Sequence, residues 1–500
     1  MDVRDFREFG KAAVDYIADY YETIRDRPVV SCVKPGYLDD VIPKEPPFAG
    51  ESWRDLLQDV DRIIVPGLTH WQSPNFHGYY PTGQSFPAVV GELMSAGFGV
   101  VGLSWIASPA MTELEVVMMN WLGRMLGLPE EFLNCSEGPG GGVIQGSASE
   151  ATFVALLTAK EKKVKDLRAS HPELSEAEIK GKLVAYSSDQ SNSSVEKAGL
   201  LGSMVMRLLP SNEHGQLSCD TLQEAVDKDR EAGLIPCYVV ANLGTTPTCA
   251  FDSLDELGPI CQREKMWLHI DAAYAGTAFV CPEYRHHMRG IEMADSFNFN
   301  PHKWMLVNFD CSAMWVRDAK YLVEAFNVER IYLKDHHKGL APEYRHWQIS
   351  LGRRFRALKI WFVLRIYGVE GIRKHVRDQI GLAEYFAELV ASDERFEVCS
   401  SNMGLVCFRL KGDDSLSVAL LNGISARKNL FLTPGHLRGK FAIRYAVCSR
   451  LTDRADVNYS WKEITSVLDD ISSNKSAANK RNIATINMPD NVNANTEKSK

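Results

Sequence analysis

Residues 238–276 read YVVANLGTTPTCAFDSLDELGPICQREKMWLHIDAAYAG. An apolar run ends in a small polar turn, and an amphipathic stretch follows over 253–264. A second apolar run, WLHIDAA (267–273), closes around an acid, Asp271. Short apolar runs separated by a helix-length stretch predict strand, helix, strand, with the two strands parallel and covered on both faces. The pattern continues outward. LVAYSS (183–188) and SAMWV (312–316) are further strand candidates, and EATFVALLTAKEKKVKDL (150–167) is a further helix. Alternation of this kind over about 85–360 implies an α/β domain built on a mainly parallel sheet. Ligands of such sheets bind outside the carboxyl ends of the strands, so the turns there are where chemistry is expected.

The flanks differ from this centre. Residues 1–84 read as helices followed by a connector. Asp2 is a fair N-cap, Phe6, Ala13, Tyr16, Ile17 and Tyr20 form a helical stripe, and the proline-rich 36–49 is expected to be extended. Residues 361–471 predict a smaller α+β domain with strands in FEVCS, LVCFRL and FAIRYAV. The tail, 472–500, is rich in Asn and nearly devoid of apolar residues, so disorder is expected.

Composition narrows the class. The chain has 500 residues, 45% hydrophobic and 24% charged, and a formal charge of -8 without a basic cluster, which argues against nucleic acid. Its 11 cysteines contain no CxxC pair and suit reduced thiols. The first residues, MDVRDFREFG, are acidic and lack the apolar core of a secretion signal, so a cytoplasmic protein is expected. Residues 93–112 (LMSAGFGVVGLSWIASPAMT) carry no charge, but their glycines, serines and proline make a poor membrane helix. They read as buried loop and short helix at a subunit interface, and no membrane span is expected.

Four segments carry chemistry. In GPGGGVIQGSASEATF (138–153) a glycine run leads into a helix, whose first N–H groups suit a phosphate; Ser147 as a plain N-cap is the alternative. In WLHIDAAYAG, Asp271 at a strand end could hold a pyridinium nitrogen protonated, or merely cap a turn. In SFNFNPHKW (296–304), a partly buried Lys303 would lose basicity and become a nucleophile for Schiff-base chemistry, although an isolated lysine is normally a surface group. In ANLGTTPTCAFD (241–252), Thr246 could reach the ring or phosphate of a cofactor, or sit in a simple turn. No second lysine stands in a setting comparable to that of Lys303. No metal site is expected.

Together with the opening helices, HGYYPTGQSFPAVVGELMSA (77–96), SPAMTELE (108–115) and NPHKW (300–304), these segments resemble the fold-type I, group II pyridoxal-phosphate decarboxylases, the aromatic-L-amino-acid decarboxylase family. The resemblance covers roughly 1–470. It implies a mainly parallel seven-stranded sheet and pyridoxal 5'-phosphate as cofactor, linked to Lys303. Asp271 would pair with the ring nitrogen and Ala273 would pack beneath the ring. Ala148, Ser149 and Asn300 would hold the phosphate with His302 close by, and Thr246 would contact the cofactor. Trp71, Tyr79, Tyr80, Pro81 and Thr82 would line an aromatic substrate pocket. It also implies a homodimer with active sites at the interface, and a catalytic Tyr332 in the loop 328–341 (VERIYLKDHHKGLA).

One position separates two chemistries within the family. DQSNSSVEKAG (189–199) places Asn192 where amine-forming members carry a histidine. Asparagine cannot titrate, so general acid catalysis is lost there. The insect branch with asparagine couples decarboxylation to oxidative deamination. It uses O2 and yields the aldehyde with CO2, NH3 and H2O2. By the same resemblance Tyr332 points the other way, because in the plant branch tyrosine goes with amine and phenylalanine with aldehyde. Asn192 as a tolerated replacement in a simple decarboxylase therefore stays open beside the aldehyde reading. Asn192-Ser193-Ser194 also matches a glycosylation sequon, which matters only in a secreted chain.

Overall fold

The computed structural model describes residues 1–328, 341–437 and 439–486, from 474 onward by backbone alone. The central sheet contains β1 (Gly141–Gln145), β2 (Leu183–Ser188), β3 (Val205–Leu209), β4 (Ile235–Asn242), β5 (Trp267–Asp271), β6 (Ser296–Phe299) and β7 (Ser312–Val316). Their order is β1-β7-β6-β5-β4-β2-β3. Only β7 runs against its neighbours, pairing antiparallel with both β1 and β6. The other adjacent pairs are parallel. Successive side chains feed two separate cores, one on each face. Val184 and Tyr186 enter one, and Leu183 and Ala185 the other. That two-sided burial is why these strands read as unbroken apolar runs.

A second, antiparallel sheet of β8 (Phe396–Asn402), β9 (Leu405–Leu410), β10 (Thr433–Leu437) and β11 (Lys440–Ala446) has the order β10-β11-β9-β8. The helix Arg356–Ala391 connects the two sheets and changes direction at Gly368 (φ 66°). The division expected at 360/361 therefore falls inside one helix.

Four strands were not legible. β1 looked like a glycine loop, β6 is short with a polar Asn298, β3 is a half-exposed edge, and β10 holds Pro434 and Gly435, which an edge strand tolerates. At the N-terminus, Asp2 caps the helix Val3–Glu22 in a reciprocal capping box with Asp5. The connector is less extended than expected, with a short helix at Tyr37–Val41.

One expectation needs correction. The final helix, Arg454–Ile486, continues well beyond residue 472, because no Gly or Pro interrupts the sequence to Ile486 and its Ala, Lys and Arg residues favour helix. The uncharged 93–112 stretch, expected to be buried at a subunit interface, is only partly buried within a single chain, through Gly102, Ser104, Ser108, Met111 and Thr112. It forms the end of the helix Phe86–Phe98, a loop, and the start of Pro109–Leu126, and it exposes Leu93, Met94, Phe98, Val101 and Ile106. Among the described residues no helix is long and apolar enough to cross a membrane.

Candidate active site

The parallel strands end along one edge of the central sheet, and the turns beyond them supply the candidate residues. β5 ends at Asp271, in register with Asn242 of β4 and Asn298 of β6. Asp271 is buried, and its Oδ1 accepts the Ala273 N–H at 3.0 Å. Burial pushes its carboxyl up, while Lys303 and the Ala273 N–H pull it down. Just past β6, the one-turn helix Pro301–Trp304 presents Lys303. Burial pushes the Lys303 amine down and the Arg444 charge adds to this, against the opposing pull of Asp271.

His302 is buried, and its Nδ1 accepts the Cys311 N–H at 2.7 Å, which leaves the ring proton on Nε2. Burial pushes this imidazole down to about 3. Asn300 is buried with Oδ1 lacking a partner among the described residues. After β1, Ser147 caps the helix Ala148–Ser170 through the Glu150 N–H, and the Glu150 carboxylate takes the Gly146 N–H. The N–H groups of Ala148 and Ser149, in the first turn, have no acceptor within the helix.

After β2, Asn192 caps the helix Ser193–Leu201: Oδ1 accepts the Ser194 N–H at 3.0 Å. Its Nδ2 donates to Thr246 Oγ1, also at 3.0 Å, joining the turns that follow β2 and β4.

A cavity of about 1020 Å³ brings together Trp71, Tyr79, Tyr80, Pro81, Thr82, Asn192, Thr246, His302 and Lys303. Trp71 and Tyr79 stack at 5.4 Å. Tyr80 is buried, donates to the Thr245 carbonyl at 2.9 Å, and lies with its ring centre 5.5 Å from Lys303 Nζ. Asp271, Ala273, Asn300, Ala148 and Ser149 stand at the same sheet edge but do not form the cavity wall. Tyr332 lies outside the described residues.

The structure adds residues that sequence reading missed. Arg444 of β11 lines the cavity. It donates to the carbonyls of Thr246 (3.1 Å) and Pro247 (3.0 Å) and to Thr433 Oγ1 (3.0 Å). Its only signal was one cation inside the otherwise apolar strand FAIRYAV. Tyr16, Ile17, Tyr20 and Tyr21 of the first helix form another wall, and Asn308 and Phe309 complete the rim. A further correction concerns lysines: Lys359 is buried too, paired with Glu92 Oε2 at 2.8 Å, and burial pushes its amine down to about 8.

The pyridoxal-dependent decarboxylase conserved domain matches residues 35–411. The chain belongs to that family. Relatives include the aromatic-L-amino-acid decarboxylase of Manduca sexta, 56% identical over 465 residues (93% of this chain, 92% of the relative). The 3,4-dihydroxyphenylacetaldehyde synthase of Aedes aegypti is 55% identical over 471 residues (94% and 90%). Among solved structures, Oryza sativa TDC with PLP and tryptamine superposes with a TM-score of 0.91 at 36% identity, covering 94% of this chain and 99% of that one. Rhodiola rosea 4-hydroxyphenylacetaldehyde synthase gives 0.88 at 36%, with the same coverage.

This pyridoxal-dependent decarboxylase takes pyridoxal phosphate as its cofactor. The residues fit that group. A lysine with a depressed amine, a buried carboxylate at a neighbouring strand end and the first-turn N–H groups of Ala148 and Ser149, which have no acceptor within their helix, answer its aldehyde, ring nitrogen and phosphate.

Proposed function

We propose that this decarboxylase acts on an aromatic L-amino acid, L-dopa foremost, and releases the aryl acetaldehyde. The overall balance is amino acid + O2 + H2O giving aldehyde + CO2 + NH3 + H2O2. In this reading Lys303 holds the cofactor covalently and Asp271 keeps its ring nitrogen protonated. Ala148, Ser149 and Asn300 hold the phosphate beside His302, while Ala273 and Thr246 contact the ring. Bound pyridoxal phosphate supplies the electron sink for the charge left when CO2 departs. Trp71, Tyr79, Tyr80, Pro81 and Thr82 give the substrate ring an apolar, stacking wall. Arg444, with no carboxylate partner among the described residues, is available to an anionic group of the ligand.

One observation carries the choice of product. Asn192 lines the cavity with its amide engaged at both ends, by the Ser194 N–H and by Thr246 Oγ1. An amide has no titratable proton to deliver to the substrate carbon, and here its donor is already directed at a hydroxyl. Slow protonation leaves time for O2 to withdraw two electrons, and hydrolysis then yields the aldehyde. The competing reading is decarboxylation to the amine. Relatives of both names stand at near-equal identity, and Tyr332 favours the amine. Incubating the enzyme with L-dopa in air, with product mass and O2 uptake recorded together, separates the two. Aldehyde with O2 consumed in step with CO2 released supports our reading, and amine without O2 uptake overturns it.

The active unit in this proposal is a homodimer. The apolar side chains exposed on 86–106 and on the first helix need a cover, and a second copy provides one. Light scattering of the purified protein tests this, and a monomer at working concentration would refute it.

A further inference from the structure

Asn192 is one end of a longer chain of contacts. Its neighbour Ser191 has Oγ 2.9 Å from Asn242 Nδ2 and 2.5 Å from Ser187 Oγ. Asn242 is the last residue of β4 and is buried. Its N–H donates to Asp252 Oδ2 at 2.7 Å, and its Nδ2 approaches the same oxygen at 3.3 Å. Asp252 is buried as well, and its Oδ1 takes the Leu217 N–H at 2.8 Å. In return the Asp252 N–H donates to the Asn242 carbonyl at 2.9 Å. The turn after β4 is thus closed on itself by Asp252, and Asn242 reaches out of it to the turn after β2. The two turns meet twice, at Asn242–Ser191 and at Thr246–Asn192.

This arrangement bears on the reaction. The amide of Asn192 can face the substrate in only one way while both contacts hold. Cutting the deeper one leaves Thr246 as the remaining tie between this segment and the turn after β4, while Asp189 stays bound to Leu209 and Ser211 at the end of β3. A small displacement of a group over the reacting carbon changes rate steeply, whereas the affinity set by a distant aromatic wall is untouched. We propose that Asn242, locked by Asp252, is a positioning residue that acts through Ser191 to set the Asn192 amide against Thr246. The inference rests on the reading that Asn192 faces the reacting substrate. It does not depend on which product forms, because it predicts an effect on CO2 release as well.

The test uses the pyridoxal-phosphate-loaded enzyme and L-dopa. Ser191→Ala removes the acceptor, Ser191→Thr keeps a hydroxyl, and Asn242→Ala removes the donor. Ser191→Ala is a small change outside the core and covers the event that Asn242→Ala does not fold. The expected result for the two alanine variants is a fall of about three- to tenfold in kcat for CO2 release, with KM for L-dopa and the cofactor absorbance within about twofold of wild type. The amine-to-aldehyde ratio should move in the same variants, and Ser191→Thr should restore the wild-type rate. Unchanged kcat in Ser191→Ala, or KM rising and cofactor lost together with kcat, or no recovery in Ser191→Thr, would overturn the proposal. If wild type makes only amine, the aldehyde reading fails by itself and the kcat comparison still decides this one.

Discussion

Lys303 and Lys359 are both withdrawn from bulk water, and burial lowers both amines. Lys303 follows β6, opens into the 1020 Å³ cavity, and has the Asp271 carboxylate as its opposing charge at the next strand end. Lys359 is 1% exposed within the helix Arg356–Ala391, and its Nζ meets Glu92 of the helix Phe86–Phe98 at 2.8 Å. Those two helices touch closely: a Cβ on Gly91 would stand 2.7 Å from Lys359 Cα, so only glycine permits the approach. A depressed amine is therefore no mark of chemistry alone. What separates the two lysines is access to a space large enough for a ligand, and a neighbouring acid not already satisfied by another cation.

The sharpest way to break this contrast is to remove each lysine. Lys303→Ala should lose all measurable turnover and the absorbance of lysine-linked cofactor. Lys359→Met should keep that absorbance. If the band survives in Lys303→Ala, or vanishes in folded Lys359→Met, the two roles are misassigned.

Asp271→Asn tests the acid that distinguishes the Lys303 site. A neutral amide cannot hold the ring nitrogen protonated, so kcat should fall on the order of 10²-fold or more while cofactor still binds. Near-normal rates at neutral pH would remove Asp271 from that role.

Lys359→Met tests the framework side through stability. Glu92 loses one of its two cations and keeps Arg354, so the cost by chemical denaturation should be about 1 kcal/mol. The pH dependence has a definite sign. The amine sits near 8 in the folded chain and at its ordinary 10.5 when unfolded, so between these values the unfolded state holds more protons. Wild-type stability should gain a rising contribution with pH over that window, and Lys359→Met should flatten it. Equal slopes in the two proteins would mean that Lys359 titrates normally.

The smallest expected effect combines both sides. Asn192→His should shift product from aldehyde toward amine, tenfold in ratio for each ~1.4 kcal/mol gained in protonation. It also removes the cap that accepts the Ser194 N–H, which costs about 0.5–2 kcal/mol of stability. A product ratio that stays fixed despite the lower stability would place control elsewhere, with Tyr79 and Tyr80 next to be tested.

Much of this was readable before folding. The strands β2, β4, β5 and β7 are apolar runs because both faces of the sheet are covered, and two-sided burial leaves a mark on every residue of a strand. Asp271 ends one such run, and Asn192 and Thr246 stand just past two others, so strand ends pointed to them, whereas Lys303 follows β6 and stood out only by its segment, SFNFNPHKW. Sequence spacing settles local matters of this kind: periodicity, caps such as Asp2 and Ser147, and the residue that ends each strand.

The rest depends on contacts between segments far apart in the chain. Arg444 reaches Thr246 across 198 positions, and Lys359 meets Glu92 across a helix crossing. Asn242 finds Ser191 only because β2 and β4, separated by the edge strand β3 in sequence, lie side by side in the sheet. No pattern within one segment encodes such a partner. It is fixed by strand order and helix packing, which is why tertiary structure alone distinguished the lysine that faces a cavity from the buried one that faces a glutamate.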